Sequence, residues 1–98
     1  MPEFEWDDNK AASNLAKHGV SFEEAATAFD DVWARLMPDP DHSAEEERFI
    51  LLGMSIRARE LVVCHCLRGE DRSVVRIISA RRATTNEERQ YWRYVHAR

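Results

Sequence analysis

The chain of 98 residues has the length of a single domain, taken here as residues 1–98, with a hydrophobic core of its own. A hydrophobic fraction of 44%, a charged fraction of 33% and a net charge of −4 exclude a disordered tail and indicate an ordinary globular protein. No apolar run approaches the roughly 20 residues of a membrane span, and the acidic N-terminus is unlike a signal peptide, so we predict a cytoplasmic protein.

The chain opens with a predicted strand and a predicted helix. Polar and apolar residues alternate from Glu3 to Trp6, which is typical of a short strand. Asp7 or Asp8 is expected to cap a helix that runs to His18, where Gly19 provides the C-terminal stop. The predicted inner face of this helix consists of Ala11, Ala12, Leu15 and Ala16.

A second helix is predicted to follow at once. The run Ser21 to Glu24 has the form of a capping box, with Val20 placed to pack against the first turn. Its predicted buried stripe has helical spacing and consists of Phe22, Ala25, Ala26 and Phe29.

The second half of the chain is predicted to form a sheet. Val32 to Met37 is a candidate strand, and residues 38–47 form a polar loop. Three further strands are expected at Arg48–Met54, Leu61–Leu67 and Ser73–Ala80. The links between these three are short and rich in turn residues, so the strands form an antiparallel meander.

The chain is predicted to end in a helix, which completes an α+β domain. Thr84 or Thr85 caps this helix, which runs to about His96, and Glu87 or Glu88 completes a capping box. Two N-terminal helices, an antiparallel meander and one C-terminal helix predict a two-layer domain. We expect the helices to cover one sheet face and leave the other open to solvent.

Two cysteines lie close together in a predicted strand. Cys64 and Cys66 share a strand face, but their spacing is poorly suited to a disulfide. The sequence offers no second ligand pair to complete a zinc site with them, and His42 stands alone in a loop. We therefore predict reduced thiols, with neither a metal nor a cofactor.

Charge is divided unevenly along the chain. Residues 1–47 hold 3 Lys/Arg against 13 Asp/Glu, whereas residues 48–98 hold 11 Arg, no Lys and 5 Asp/Glu. Arginine forms planar, bidentate hydrogen bonds, so an arginine-only basic half favours binding of phosphate or carboxylate. The alternative is that the acidic half neutralises the basic half within one fold.

The stretch Val75 to Thr84 brings several arginines together. Arg76 lies within the predicted strand, and Arg81 and Arg82 follow at its exit. Alternation places Val75, Ile77 and Ser79 on the face opposite Arg76. These arginines serve either solubility or phosphate binding, and cleavage of RNA without a metal requires such a phosphate clamp.

Such cleavage also requires groups that transfer protons. His18 and His65 are the candidates, and register permitting, His65 meets Arg76 on one sheet face. Tyr91 is expected to be exposed and to stack on a base, and Arg89 belongs to a basic stripe of the last helix. Each has a structural alternative: a core histidine, a helix-terminal histidine or a solvated helix face.

Two long segments resemble the BrnT family, the ribonuclease toxins of bacterial BrnT–BrnA toxin–antitoxin pairs. They are FEWDDNKAASNLAKHGVSFEEAATAF (Phe4–Phe29) and VRIISARRATTNEERQYW (Val75–Trp92). The resemblance implies a fold similar to the RelE-type ribonucleases, and metal-independent RNA cleavage that arrests translation. It also implies a BrnA-like antitoxin with a ribbon-helix-helix domain, which masks the toxin and represses the shared operon, so that DNA is contacted only indirectly.

The family pattern and the chemistry above together suggest the site. Positions that match the pattern are Trp6, Asp7, Lys10, Asn14, Lys17, His18, Gly19, Arg48, Arg76, Ser79, Arg81, Glu88 and Tyr91. We assign catalysis to His18, His65, Arg76 and Arg81. We assign RNA binding to Lys17, Arg48, Arg82, Arg89 and Tyr91.

Two other functions stay open. The protein is an inactive toxin-like partner or co-repressor if catalysis has been lost while the fold and the pairing remain. The run Lys17 to Ser21 also resembles the link of a helix-turn-helix. Glu23 and Glu24 at the start of the second helix argue against that reading, since they repel DNA phosphate.

Overall fold

A computed structural model describes residues 2–42 and 46–97, except for the side chain of His42. Its helices and strands follow the order β1 (Glu3–Glu5), α1 (Asp8–His18), α2 (Phe22–Thr27), β2 (Arg35–Pro38), β3 (Arg48–Met54), β4 (Glu60–Arg68), β5 (Val74–Arg82) and α3 (Thr85–His96). Residues 43–45 of the predicted polar loop lie outside the described residues. The α+β class is confirmed.

The strands form one mixed sheet in the order β1-β5-β4-β3-β2. From β2 to β5, each strand pairs antiparallel with the next strand along the chain, which confirms the meander. β1 pairs parallel with β5, but only along Val74–Arg76. The edge of β5 beyond Arg76 is therefore not covered by β1.

The helix ends follow the local signals in the sequence. The Asp7 carboxylate accepts hydrogen bonds from the backbone N–H groups of Asn9 and Lys10, and so caps α1. Gly19 ends that helix with a φ of 69°, a conformation that glycine adopts without strain. Thr84 and Glu87 form a reciprocal capping box at the start of α3.

Apolar side chains pack on both faces of the sheet. The larger cluster joins α1, α2 and one face; it includes Val20, Phe22, Ala25, Leu61, Val63 and Ile77. The smaller cluster joins α3 to the other face through Leu52, Val62 and Tyr91. The prediction that the helices cover only one sheet face is therefore wrong, because α3 covers one end of the second face. The rest of that face lies towards Arg48 and Arg76.

Of the predicted inner face of α1, Ala11 packs against the core, whereas Ala12, Leu15 and Ala16 are exposed. Leu15 is 51% exposed, whereas Asn14 is buried. The Asn14 amide accepts from the N–H of Ala80 at 3.1 Å and donates to the carbonyl of Ala80 at 2.8 Å. The Asn14 side chain thereby satisfies the backbone N–H and C=O of Ala80 at the edge of β5, so the Asn14 side of α1 faces the sheet.

A bulge in β5 changes which residues share a face. Cys64 lies opposite Ser79 and His65 lies opposite Ile77, so Ile78 has no partner on β4. Ile77 is buried against the helices, while Ser79 is exposed. The prediction that Ile77 and Ser79 share a face is therefore wrong.

A buried carboxylate joins α2 to the turn between β3 and β4. Glu24 accepts from the hydroxyl of Ser55 at 2.7 Å and from two guanidinium nitrogens of Arg59. Arg59 also donates to the carbonyl of Gly19 at 3.0 Å. The hydrogen bonds from Arg59 lower the pKa of Glu24, so this carboxylate stays ionised inside the fold.

Candidate functional site

A row of side chains crosses the open part of the second sheet face. The strand register places Glu5, Arg76, Cys66 and Arg48 opposite one another on β1, β5, β4 and β3. Paired residues on adjacent strands project from the same face with Cβ atoms about 5 Å apart. Arg48 and Arg76 therefore flank the buried Cys66, about 10 Å from each other.

Arg76 is held by a carboxylate on the neighbouring strand. Its Nη1 donates to Oε2 of Glu5 at 2.7 Å, and the two side chains are 33% and 43% exposed. Arg76 and Lys10 also contribute to lowering the pKa of Asp7, after the larger effect of the Lys10 backbone N–H. Arg76 and the N-terminal end of α1 therefore belong to one electrostatic neighbourhood.

Arg48 lies at the other end of the row and is close enough to the Cys64 thiol to affect its pKa. Its Nε is buried, and no acceptor for it occurs among the described residues. Burial and the Asp39 carboxylate raise the pKa of the Cys64 thiol, and the opposing effect of Arg48 is smaller. The thiol is protonated at neutral pH, so it is a poor nucleophile.

Arginines at the same end of the sheet are paired with acidic residues. Arg68 Nη2 lies 2.9 Å from Oε2 of Glu46, and Arg72 Nη2 lies 3.1 Å from Oε1 of Glu47. Glu5, Glu46 and Glu47, which we call the acidic rim, all come from the acidic half of the chain. The two halves are thus joined by ion pairs across the fold.

A second basic site lies beside the uncovered edge of β5. An open groove of about 210 Å³ lies between α1 and the edge of β5. Its lining residues are Lys10, Ser13, Asn14, Lys17, His18, Ile78 and Ser79. Lys10, Asn14, Lys17 and His18 have the spacing of one helix stripe. Because Asn14 binds Ala80 of β5, the rest of the stripe faces that edge.

The groove combines a proton carrier with cations. His18 is half-buried, and its imidazole lies in a groove that also contains two lysine side chains. An imidazole accepts or donates a proton near neutral pH, and ammonium groups bind phosphate oxygens. The structure therefore brings together the predicted residues Lys17 and His18, and adds Lys10, Ser13 and Ser79.

His65 does not belong to either basic site. It is 2% exposed, and its ring packs edge-to-face on Phe29 with centroids 4.8 Å apart. The register pairs His65 with Ile77, so it lies on the opposite face from Arg76. Burial lowers its pKa and favours the neutral ring. The prediction that His65 and Arg76 meet is wrong, and we withdraw His65 as a catalytic candidate.

Arg81 has a partner within the fold. Its Nη1 and Nη2 donate to the two oxygens of Glu87 at 2.8 and 3.0 Å. Glu87 also accepts from the N–H of Thr84 at 2.8 Å, so the pair fastens the start of α3 to the sheet. The Arg81 hydrogen bonds lower the pKa of Glu87 to about 2. Arg81 lies roughly 15 Å along β5 from Arg76, and the two do not form one clamp.

Tyr91 is buried rather than exposed. It is 2% exposed and packs with Leu52 and Val62, and its hydroxyl donates to Oδ2 of Asp31 at 2.6 Å. Burial and the Asp31 carboxylate raise its pKa. The prediction of an exposed stacking aromatic is therefore wrong. Arg82 and Arg89 are exposed, and neither lines the groove.

Three residues of the basic sites, Lys10, Ser79 and Glu5, were not among those assigned to catalysis or RNA binding from the sequence. Lys10 and Lys17 are separated by seven residues, a helical spacing that signals a shared stripe. Ser79 depends on the bulge, for which the sequence carries no clear signal. Glu5 depends on the parallel register of β1, which also has no local signal.

The described residues contain no group of three or more His, Cys, Asp or Glu side chains arranged to hold a metal ion. No helix among them has the length and apolar character needed to cross a membrane.

Comparisons with known proteins agree with the fold and with the two segments singled out above. The chain matches the family described as "Ribonuclease toxin, BrnT, of type II toxin-antitoxin system" over residues 6–87. It is also similar to the crystal structure of the Brucella abortus ribonuclease toxin, BrnT, with a TM-score of 0.67 and 26% identity. That match covers 87% of this chain and all of the Brucella chain. No curated protein sequence matches.

Proposed function

Because the chain belongs to the BrnT family of ribonuclease toxins of type II toxin–antitoxin systems, we propose that it cleaves RNA internally, without a metal ion, and thereby inhibits translation in the cytoplasm. The observation that carries this proposal is the groove in which Lys10, Lys17 and His18 face the open edge of β5. Arg76 follows on the same strand, and Arg48 lies beyond it on the sheet face.

His18 acts as the general base in the proposed reaction. It takes the proton of a ribose 2′-hydroxyl, whose oxygen then attacks the adjacent phosphorus. The bond from phosphorus to the 5′-oxygen breaks, and that oxygen receives a proton from water. The hydroxide that remains takes the proton from His18, so the base is restored. The products are a 2′,3′-cyclic phosphate and a 5′-hydroxyl, and no other reactant is required.

Cations stabilise the negative charge that develops on the oxygens around the reacting phosphorus. Lys10 and Lys17 are placed to bind the non-bridging oxygens of the reacting phosphate, since they share the groove with His18. Arg76 and Arg48 bind neighbouring phosphates of the same strand across the open sheet face. Arg82 and Arg89, both exposed, add positive charge outside the groove and contribute only to long-range attraction.

The antitoxin is the second proposed partner. We assign it to a BrnA-like protein with a ribbon-helix-helix domain, because the family functions as a toxin–antitoxin pair. DNA contact is left to that partner. α2 has only six residues, and its Glu24 is buried against Arg59, so α2 is not a recognition helix.

Replacing His18 with alanine tests the proposed base. Cleavage of a labelled RNA by His18→Ala should fall about a hundredfold or more, which is the usual contribution of a general base. The matched control is His96→Ala, which removes an exposed histidine of α3 and should retain activity. Both proteins should melt close to the wild type, and chelation with EDTA should leave cleavage unchanged. Full activity of a folded His18→Ala variant contradicts the assignment.

A second function is favoured by the ion pairs of the acidic rim. Carboxylates already occupy Arg68, Arg72 and Arg76, which reduces the charge available to RNA. On this alternative the protein binds its antitoxin, or acts with it as a co-repressor, without cleaving RNA. Induction of the soluble chain alone distinguishes the two, because only an active ribonuclease arrests growth and does so in a way that His18→Ala abolishes.

A further inference from the structure

β1 has only three residues, yet two of them are glutamates that project onto the arginine face. Its register places Glu3 opposite Val74 and Glu5 opposite Arg76. The residue between them, Phe4, packs edge-to-face on Phe29 with ring centroids 5.3 Å apart. This packing holds the strand in place, so Glu5 is presented to Arg76 by a fixed backbone.

The contact between Glu5 and Arg76 is close but exchangeable. The atoms lie 2.7 Å apart, which is the distance of a charge-assisted hydrogen bond. Both side chains remain partly exposed to solvent, and an ion pair in such a setting contributes little net stability. A phosphate oxygen is chemically equivalent to the carboxylate as an acceptor for the guanidinium.

We propose that Glu5 is a built-in competitor for the RNA phosphate at Arg76, and that it weakens RNA binding until a phosphate displaces its carboxylate. This inference rests on the proposed function, in which Arg76 contacts RNA. In the free protein the guanidinium is occupied by Glu5. When RNA binds, the phosphate replaces the carboxylate, and Glu5 turns to solvent while β1 stays paired with β5.

The rest of the acidic rim acts in the same direction. Glu46 and Glu47 hold Arg68 and Arg72 at the neighbouring end of the sheet. Glu5 differs from them because its arginine lies in the row with Cys66 and Arg48, on the path that leads along β5 to the groove. Loss of the Glu5 carboxylate is therefore the single change expected to increase RNA affinity most.

The test compares two glutamates of the same strand. Binding of a fluorescein-labelled, 2′-O-methylated RNA, which is not cleaved, is measured by fluorescence anisotropy at physiological salt. Glu5→Gln should lower the Kd about two- to fivefold, the range that release of an exposed ion pair supports. Glu3→Gln removes the same charge from the same face and should change the Kd by less than about 1.5-fold, since its partner Val74 is uncharged.

Two further variants separate direct contact from general charge. Glu5→Asp keeps the negative charge but shortens the side chain, so its Kd should fall between those of Glu5→Gln and the wild type. In an Arg76→Ala background, Glu5→Gln should give no more gain than Glu3→Gln. Thermal melting of every variant confirms that β1 remains in place.

The outcomes distinguish this inference from the proposed function. If Arg76→Ala weakens RNA binding but Glu5→Gln and Glu3→Gln increase RNA affinity equally, the RNA site at Arg76 stands. The competitor role of Glu5 is then refuted. If a folded Arg76→Ala variant binds as tightly as the wild type, the placement of RNA at Arg76 fails, and this inference fails with it.

Discussion

Replacing Arg81 with alanine is expected to destabilise the fold rather than to abolish catalysis. Arg81 makes two hydrogen bonds to Glu87, and Glu87 caps α3 by accepting from the N–H of Thr84. Loss of the guanidinium leaves the cap but frees the start of α3 from β5. RNA cleavage per folded molecule should stay within about threefold of wild type, since the groove around His18 is untouched.

The magnitude follows from the pKa of Glu87. Lowering the pKa of Glu87 from 4.5 to about 2 corresponds to about 3 kcal/mol, since one pKa unit is worth about 1.4 kcal/mol. The hydrogen bonds from Arg81 contribute the largest part of this value, and those from Thr84 a smaller part. The Arg81 side chain is 41% exposed and that of Glu87 is 26% exposed, so solvent screens the pair. We therefore expect Arg81→Ala to lower the free energy of unfolding by about 1 to 2 kcal/mol.

The sign of the pH dependence is set by the lowered pKa. Glu87 binds its proton more weakly in the folded state, so its contribution is fully present above about pH 4.5 and is lost as the pH falls towards about 2. Urea unfolding of wild type, Arg81→Ala, Glu87→Gln and the double mutant should give a coupling energy near the value above at pH 7. The difference between wild type and Arg81→Ala should shrink progressively below pH 4.5.

Two results refute this reasoning. A difference between wild type and Arg81→Ala that is the same at pH 7 and pH 2.5 shows that the Glu87 carboxylate is not the partner. An Arg81→Ala variant that unfolds like the wild type but no longer cleaves RNA places Arg81 in the site, as the sequence-based assignment proposed.

The remaining predictions concern two other buried contacts. Arg59→Ala should lower the free energy of unfolding by about 3 kcal/mol or more, because it leaves the buried Glu24 carboxylate without its main partner. Arg57→Ala is the control, because the exposed Arg57 side chain comes no closer to Glu24 than 3.7 Å. Tyr91→Phe should cost about 1 to 2 kcal/mol through loss of the hydrogen bond to Asp31, with RNA affinity unchanged. Urea unfolding measures both; weaker RNA binding by a stable Tyr91→Phe variant contradicts its structural role.

Elements set by local chemistry could be predicted from the sequence. Capping by Asp7, the stop at Gly19 and the capping box at Thr84 each depend on residues within one turn, and all three agree with the structure. The three-strand meander follows for the same reason, since short links constrain strand direction.

Long-range pairing explains what the sequence did not predict. Asn14 is buried because its amide binds Ala80, 66 residues away, and no helical periodicity contains that partner. His65 follows the core residues Leu61 and Val63 on one face of β4, and the bulge in β5 leaves Arg76 on the opposite face. One extra residue in β5 is therefore enough to place Arg76 and the candidate base on opposite faces of the sheet.

The division of charge along the chain acquires a physical meaning in the fold. Its two halves pair through Glu5, Glu46 and Glu47, so the arginine face is less positive than the count of arginines implies.

Lys10 and Lys17 line the groove with His18 and lie in none of these pairs. A local field of this kind attracts phosphate even when the net charge is −4, because screening confines each interaction to about 8 Å at physiological salt. RNA affinity should therefore depend on the lysines of the groove more than on the arginines of the sheet, and the loss on Lys17→Ala should exceed the loss on Arg68→Ala.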